Sequence, residues 1–330
     1  MRTLSIIIAI TLLALGGCSE GLPPRQQVDE LRVLGLRLSP PSATPGQEVV
    51  ADALVVNPSE QEIKLEWYAC LAPISPNAYF TQSIDNDDCP LGESPHGLSL
   101  GEGESASFEV PANFMEQVSD VLTEAGFESD EGEMSEAIQG LLAISGWYLQ
   151  VTLIATSGEQ EEIMVKKRLV VTLFADQNDN PAPPTFVLEE VAEEGSPAPL
   201  IQNAEPGSES SCLSPESPLN SLQDGVYRLS PVNLPDPPPT YPVLDFGGEV
   251  TEREETLFYS WFSTVEKITA PVTKSPDEHP VGIDIDDVDP DTLVNDAQGR
   301  ASIPIWVVVR DGRGGTSWCH ELLPYTPSSR

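Results

Sequence analysis

The segment IWVVVRDGRGGTSW, residues 305–318, has the pattern of two β-strands joined by a tight turn. Valine and isoleucine dominate residues 303–309, and a second strand-like run follows at residues 316–322. Between them lies Asp311-Gly312-Arg313-Gly314-Gly315, a cluster of residue types that favour turns. We therefore predict a β-hairpin that closes the C-terminal half of the chain.

The N-terminal half ends in a similar pattern. Residues 147–156 and 162–173 are rich in Val, Ile, Leu and Thr, and Ser157-Gly158 lies between them as a turn. A second closing hairpin is therefore predicted there.

Each half also contains one strand-like segment with a central tryptophan. Trp67 lies in residues 63–70, where apolar and polar side chains alternate, and Trp261 holds the corresponding place in residues 256–265. The two halves share this pattern rather than residue identity, so the sequence predicts two structural repeats.

These features resemble the bacterial Ig-like and polycystic-kidney-disease-like β-sandwich domains. The resemblance is carried by Trp67, by Trp261, and by alternating valines followed by Asp-x-x-Gly in residues 305–318. It implies a mainly β fold of two Ig-like β-sandwich domains in tandem. In antibody domains a cysteine pair joins the two sheets beside the tryptophan, and no cysteines stand at those places here. Further strand-like segments are residues 31–38, 48–56, 105–110 and 186–191.

A helical insert interrupts the strands of the first half. Phe114, Val118, Val121 and Leu122 recur at helical spacing, and a shorter repeat of the pattern follows at residues 137–142. We predict two helices within residues 112–145, packed on the edge of the sheet.

The domain boundaries follow from changes in composition. The linker is rich in proline and turn-forming residues, and a Ser/Pro/Glu-rich stretch in the second half has too little apolar content for a core. We expect this stretch to be a long surface loop. The predicted segments are a signal peptide (1–17), a tether (18–27), the first domain (28–175), the linker (176–184), the second domain (185–325) with its loop (195–240), and a C-terminal tail (326–330).

The first eighteen residues, MRTLSIIIAITLLALGGC, combine a positive Arg2 with an apolar run that ends at Leu15-Gly16-Gly17-Cys18. The run of about a dozen residues is shorter than the roughly 20 that a membrane-spanning helix needs. The segment resembles the lipobox of bacterial lipoproteins, which implies that Cys18 is acylated, with palmitate among the chains. The whole chain also resembles the large lipoproteins of myxobacteria and of related predatory or saline bacteria.

The lipobox resemblance implies a location in the bacterial cell envelope. Ser19 follows the acylated position, and in enterobacterial lipoproteins a residue other than Asp there accompanies delivery to the outer membrane. Whether the protein faces the periplasm or the cell surface stays open. A short tether is expected to hold the first domain near the membrane and the second farther out.

The chain is strongly acidic, with 16 Lys and Arg against 53 Asp and Glu and a formal net charge of −37. Such a surface repels nucleic acid, which we therefore do not expect as a partner. Solubility in a saline habitat accounts for most of this charge, and cation binding at clustered carboxylates is the alternative.

Four cysteines follow Cys18, and an even number in an exported chain indicates disulfides. Three pairings exist, and we predict Cys70–Cys89 and Cys212–Cys319 because each pair then lies within one domain. A zinc site is the alternative. It is disfavoured because the sequence contains no CxxC and its three histidines are scattered.

The linker sequence Asp176-Gln177-Asn178-Asp179-Asn180 is similar to the Asp-x-Asn-Asp-Asn that joins cadherin repeats and helps to bind calcium. Cadherins add an Asp-x-Asp from the next domain, to which Asp284-Ile285-Asp286 would correspond. Pro181 stands one residue earlier than in that family, and a counterpart of its Asp-Arg-Glu is missing. We therefore predict no cofactor, with calcium as the alternative. The candidate ligands are Asp176, Asn178, Asp179, Asn180, Asp284 and Asp286.

The sequence contains no GxSxG, HExxH, P-loop or GxGxxG motif, and we predict no catalytic residue. The favoured function is a lipid-anchored envelope protein with a non-enzymatic binding, adhesion or structural role. Its partners would be the membrane, through the lipid, and an unknown protein or polysaccharide of the envelope. The alternative is a protein that binds or hydrolyses envelope polysaccharide, because carboxylate pairs for that chemistry are invisible in sequence.

Overall fold

The computed structural model describes residues 26–59, 61–71, 97–124, 146–158, 162–172, 178–191, 212–215, 217, 221–232, 234–235, 238–244, 250–265, 268, 272–275, 281–286 and 288–327. The signal peptide, Cys18 and most of the tether lie outside these residues, as do Cys89, Asp176 and the second part of the helical insert. Among the helices of the described part, none has the length and apolar character needed to cross a membrane.

Two β-sheets form the first domain. One sheet has the order β1-β3-β6 and the other the order β2-β8-β7-β4-β5, and the short β2 pairs in parallel with β8. The elements are β1 (Arg32–Ser39), β2 (Ser42–Ala43), β3 (Glu48–Val56), β4 (Ile63–Leu71), β5 (Leu98–Glu102), β6 (Ser105–Glu109), α1 (Phe114–Glu124), β7 (Trp147–Ser157) and β8 (Ile163–Val171).

The first strand of this domain is shared between the two sheets. Between β1 and β2 stand Pro40 and Pro41, which lack the N–H that a continuous ladder would need. In the letters used for immunoglobulin domains, the sheets are A-B-E and A′-G-F-C-C′. The first domain is therefore an Ig-like β-sandwich.

The second domain repeats this arrangement. Its sheets are β9-β10-β15, equivalent to A-B-E, and β18-β17-β13-β14, equivalent to G-F-C-C′, and the short β16 also pairs with the beginning of β17. A separate ribbon, β11-β12, is inserted between β10 and β13. The elements are β9 (Thr185–Glu190), β10 (Gly225–Val232), β11 (Thr240–Leu244), β12 (Val250–Glu254), β13 (Phe258–Ser263), β14 (Val272–Lys274), β15 (Val281–Ile285), β16 (Val294–Asn295), β17 (Ala301–Arg310) and β18 (Thr316–Pro324).

The two central tryptophans occupy equivalent strands, as their sequence pattern predicted. Trp67 on β4 and Trp261 on β13 are fully buried, one in each core. Each indole also has a hydrogen-bond acceptor, because Trp67 Nε1 donates to the Gly103 carbonyl at 2.8 Å and Trp261 Nε1 to Thr273 Oγ1 at 3.1 Å. Burial of each large ring therefore leaves no indole N–H unpaired.

The prediction of a surface loop over residues 195–240 is wrong for its second part. Strand β10 lies there as the central strand of its sheet, and Tyr227 and Leu229 on it are buried in the core. The overall composition is polar, but the alternation places Tyr227 and Leu229 on the buried face of the strand and Val226 and Arg228 on the exposed face. The alternation of buried and exposed side chains therefore identifies this strand, whereas the mean hydropathy of the stretch does not.

The predicted helical insert begins as expected. Helix α1 follows β6, and Phe114 and Val118 on its inner face are fully buried in the first core. The second predicted helix falls in residues 125–145, outside the described residues.

The predicted disulfide between Cys212 and Cys319 is confirmed, with a Cα–Cα distance of 5.6 Å. Cys212 lies beside β9, since its carbonyl accepts a hydrogen bond from Phe186 N at 2.8 Å, and Cys319 lies on β18. The bond therefore joins the two sheets at one edge of the second sandwich. Cys70 is also disulfide-bonded, but its predicted partner Cys89 lies outside the described residues.

Candidate functional site

The linker between the domains is fixed by hydrogen bonds from both sides. Asn178 is buried, its backbone N–H donates to Ser42 Oγ of the first domain at 2.6 Å, and its side-chain Nδ2 donates to Asp311 Oδ2 of the second domain at 2.6 Å. One residue therefore ties the two domains to the chain that connects them.

Asp311 organises the turn that the sequence marked as Asp-x-x-Gly. Its Oδ1 accepts hydrogen bonds from Arg313 N at 2.7 Å and Gly315 N at 2.9 Å, while Oδ2 binds the linker. A Cβ at Gly315 would overlap the Asp311 carboxylate and lie 2.9 Å from the Asp179 carbonyl. Glycine is required here because the linker and the turn approach so closely.

Asn180 makes a second tie between the domains. Its Nδ2 donates to the Leu38 carbonyl at 2.8 Å, and its Oδ1 accepts from Thr316 N at 2.8 Å. Next to it, Ser317 Oγ donates to the Pro181 carbonyl at 2.6 Å. The Asn180 side chain thus holds the end of β1 against the start of β18.

An apolar contact accompanies these hydrogen bonds. Val28 and Leu34 of the first domain pack with Trp306 and Val308 of the second, in a cluster separate from either domain core. Gly35 permits the close approach, because a Cβ there would lie 3.2 Å from the Trp318 ring. The partly buried residues around this cluster are Leu54, Val56, Phe262 and Trp318.

Basic side chains border this junction between the domains. The Arg310 guanidinium donates from Nη2 to the Leu34 carbonyl at 2.9 Å, at a β-bulge in β1. Lys167 Nζ donates to Thr316 Oγ1 at 2.7 Å. Burial, and to a smaller extent the nearby Arg310, together lower the pKa of Lys167 to about 8, while Asp311 opposes the shift. The Arg37 guanidinium lies over the Trp318 ring, 4.7 Å from its centroid.

The structure does not bring together the five candidate calcium ligands that it describes. Asp284 pairs with Val226 on β10, whereas the linker reaches β9 beside Val232, six residues farther along β10. At about 3.3 Å per residue, this places Asp284 and the neighbouring Asp286 about 20 Å from the linker. Asn178 and Asn180 bind protein groups and Asp179 is exposed, while Asp176 lies outside the described residues. Within the described part of the chain, no three His, Cys, Asp or Glu residues group as a metal site.

A cleft of about 1170 Å³ opens at one end of the first sandwich. It lies where β4 begins and where β5 and β7 end, which is the end that carries the B–C and F–G loops of an Ig-like domain. Its polar lining includes Gln61, Glu62, Lys64, Glu102, Glu104 and Thr156.

An ion-pair network borders this cleft. Lys64 Nζ lies 3.0 Å from Glu66 Oε1 and 3.3 Å from Glu102 Oε1. Hydrogen bonds to these two carboxylates raise the pKa of Lys64. Below the network, Gly103 is held by its N–H to the Leu65 carbonyl and by its carbonyl to Trp67 Nε1. The cleft therefore has a fixed floor and a charged rim.

Sequence reasoning did not find this cleft. Lys64 and Glu66 are polar positions of the alternating segment 63–70, and that pattern does not mark them as partners. Their third partner, Glu102, lies on β5, a short strand whose burial pattern is almost wholly exposed and which the apolar pattern did not predict. The opposite charges of Lys64 and Glu102 could have indicated a contact, but only if the pairing of β4 with β5 were already known.

A scan against protein-family models and a search of curated proteins found no match to this chain. Among solved structures, the chain is similar to murine CEACAM1b, with 11% identity, a TM-score of 0.22, and coverage of 90% of this chain and 100% of that one. It is also similar to the IG1 and IG2 domains of DIP-gamma, with 6% identity, a TM-score of 0.14, and coverage of 91% and 99%. The Ig-like assignment rests on the strand order described above and not on these similarities.

Proposed function

We propose that this chain is a bacterial envelope protein, anchored by an acylated Cys18, that binds a partner without catalysing a reaction. The lipobox-like residues 1–18 support the anchor. The cleft at the loop end of the first sandwich supports the binding role, and its charged rim on a fixed floor is the observation that carries the proposal.

The charge of the cleft favours a basic partner. Among the described residues that line it, Glu62, Glu102 and Glu104 accompany a single cation, Lys64, which is already paired with two carboxylates. The carboxylates of the cleft would repel a further carboxylate or phosphate. They would attract a Lys or Arg side chain, because they outnumber the cations in the cleft. We therefore propose a protein segment with basic residues as the partner, in an adhesive or structural contact within the envelope.

The same network supports a non-enzymatic role. A hydrolytic carboxylate pair needs one protonated member, which burial or a neighbouring carboxylate keeps uncharged. Glu66 and Glu102 are instead both paired with the ammonium group of Lys64.

Charge reversal at the cleft tests the proposal. We expect a Glu62→Arg/Glu104→Arg variant to lose the partner that wild-type protein captures when cross-linked in intact cells. The matched control is Glu252→Arg/Glu254→Arg, an equal change of charge on exposed positions of β12. Equal losses in both variants, or none in either, would show that the cleft is not the binding surface.

The polysaccharide alternative has a separate readout. Wild-type protein that co-sediments with purified cell-wall polysaccharide, and loses this with the cleft variant, would favour a carbohydrate partner. Release of soluble reducing sugar by wild-type protein would contradict the non-enzymatic role.

A further inference from the structure

The two sandwiches lie side by side, and equivalent strands of the two domains, such as β7 and β17, run in opposite directions. Near the beginning of the first domain, Val28 N donates to the Ser263 carbonyl at 2.8 Å, and Ser263 pairs with Ile305 on β17. Near the end of β1, Asn180 joins Leu38 to Thr316, just beyond the end of β17. Strand β1 therefore runs in the same direction as β17 along the second domain.

This shared direction sets the cleft and the ribbon at opposite ends of the protein. Strand β1 begins beside Val56, the last residue of β3, which leads directly into the loop that borders the cleft. Strand β17 ends at the turn containing Arg313, whose guanidinium lies 4.4 Å from the centroid of the Tyr241 ring on the ribbon β11-β12. The cleft thus lies at the end where β17 begins, and the ribbon lies at the end where it finishes.

The tether joins the protein at the cleft end. Ser263 N donates to the Gln26 carbonyl at 3.1 Å, Gln27 forms a parallel bridge with Ser263, and Gln26 Nε2 donates to the Ile268 carbonyl at 3.2 Å. The chain that arrives from Cys18 is therefore fastened to the second domain before it enters the first.

The length of the tether limits how the protein can stand on a membrane. Eight residues from Cys18 to Gln26 span at most about 28 Å when fully extended. The tether is fastened at Ser263, opposite Ile305, and the five residues from there to the end of β17 at Arg310 span about 17 Å, with the turn and the ribbon beyond them. A flexible chain of eight residues has a root-mean-square length of only about 16 Å. An upright arrangement with the ribbon towards the lipid would therefore require a strongly extended tether, whereas the cleft end lies where the tether joins.

We propose that the anchored protein stands with the cleft end towards the bilayer and the ribbon of the second domain farthest from it. This inference rests on the proposed acylation of Cys18. It replaces the expectation of a first domain near the membrane and a second domain farther out, because both domains now reach towards the lipid. The partner of the cleft would accordingly be met close to the membrane surface.

Energy transfer to the membrane tests this orientation. Full-length protein purified with its acylated N-terminus is bound to vesicles that carry an acceptor dye on their lipid headgroups. Single donor dyes are attached at Glu104→Cys, Gln298→Cys and Val250→Cys. Glu104 is at the cleft end of the first domain, Gln298 is in the turn before β17, and Val250 is on the ribbon; all three are exposed. The unsubstituted protein, taken through the same labelling, gives the background.

We expect transfer from positions 104 and 298 to be at least twofold more efficient than from position 250. A pattern in which 298 resembles 250, while 104 is efficient, would restore the end-to-end arrangement and overturn the inference. Insertion of about 20 Gly and Ser residues after Glu20 should abolish the difference by freeing the protein to rotate. An unchanged difference would show that the tether does not set the orientation. If the unsubstituted protein does not float with the vesicles, the anchor itself is wrong; flotation with the wrong pattern leaves the anchor intact.

Discussion

Asp311 is the residue on which the junction between the domains depends most. Its carboxylate accepts two hydrogen bonds inside its own turn and one from Asn178 of the linker, and the side chain is almost completely buried. Removing a buried acceptor of this kind is costly, because the donors around it are left without a hydrogen-bond partner.

We predict that Asp311→Ala lowers the free energy of unfolding by about 3 kcal/mol, because three donors lose a charged acceptor. Urea denaturation of soluble Cys18→Ser protein measures this loss. Asp179→Ala, at an exposed position in the same linker, is the matched control and should change stability by less than about 0.5 kcal/mol. Equal effects of the two variants would contradict the assigned role.

Lys167 makes the stability of the protein depend on pH. Its folded-state pKa of about 8 lies below the roughly 10.4 of an unfolded lysine, so the unfolded chain binds more protons between these values. Stability contributed by this residue therefore rises as the pH increases from about 8 towards 10, by at most about 3 kcal/mol.

We predict that wild-type protein gains stability between pH 7.5 and 9.5 and that Lys167→Met loses this gain. Urea denaturation at the two pH values measures both. Lys64→Met is the control, because the pKa of Lys64 is raised and not lowered, and this variant should keep the gain. A Lys167→Met protein with the wild-type slope would show that the ammonium group is not desolvated.

At the scale of elements, the disulfide secures the long connection between β9 and β10. It joins residues 107 positions apart, and it holds the segment beside β9 against β18. We predict that Cys212→Ala/Cys319→Ala lowers the free energy of unfolding by about 4 kcal/mol, because the unfolded chain regains loop entropy. Thermal unfolding of the variant measures it. A change below about 1 kcal/mol would mean that the segment is held by its other contacts.

The linker is a second element with a testable role. Since Asn178 and Asn180 already bind protein groups on both sides, we predict that excess chelator leaves the melting temperature unchanged. A melting temperature that falls with chelator and recovers with calcium would instead support the cadherin-like alternative.

The elements that the sequence predicted are those that carry their own signal. Trp67 and Trp261 stand in alternating strands, and the turn 311–315 is built of glycines, so local pattern and final structure agree. The role of Asn178 could not be predicted in this way, because its acceptor Asp311 is 133 residues away in sequence. The Asp-x-Asn-Asp-Asn motif correctly indicated the linker as a structured segment. Its contacts, however, are made with residues that are distant in sequence. The cleft was missed for the same reason, since Glu102 meets Lys64 only through strand pairing.

For the whole molecule, the question is how two acidic domains stay together. The chain has a net charge of −37 and only 16 Lys and Arg. Three of these cations, Arg37, Lys167 and Arg310, lie at the junction, where they contact both domains. Their placement offsets the repulsion between the two acidic domains at the surface where the domains meet. The apolar cluster around Trp306 and Trp318 also stabilises this contact by burying apolar side chains.

The two Ig-like domains form one body through this junction, and calorimetric unfolding of soluble Cys18→Ser protein measures whether they unfold together. We expect a single transition for this protein. A Gly35→Leu substitution on β1, which must displace the Trp318 ring of the other domain, should lower the temperature at which both domains unfold. Two separate transitions, of which Gly35→Leu moves only the one belonging to the first domain, would show instead that the domains unfold independently.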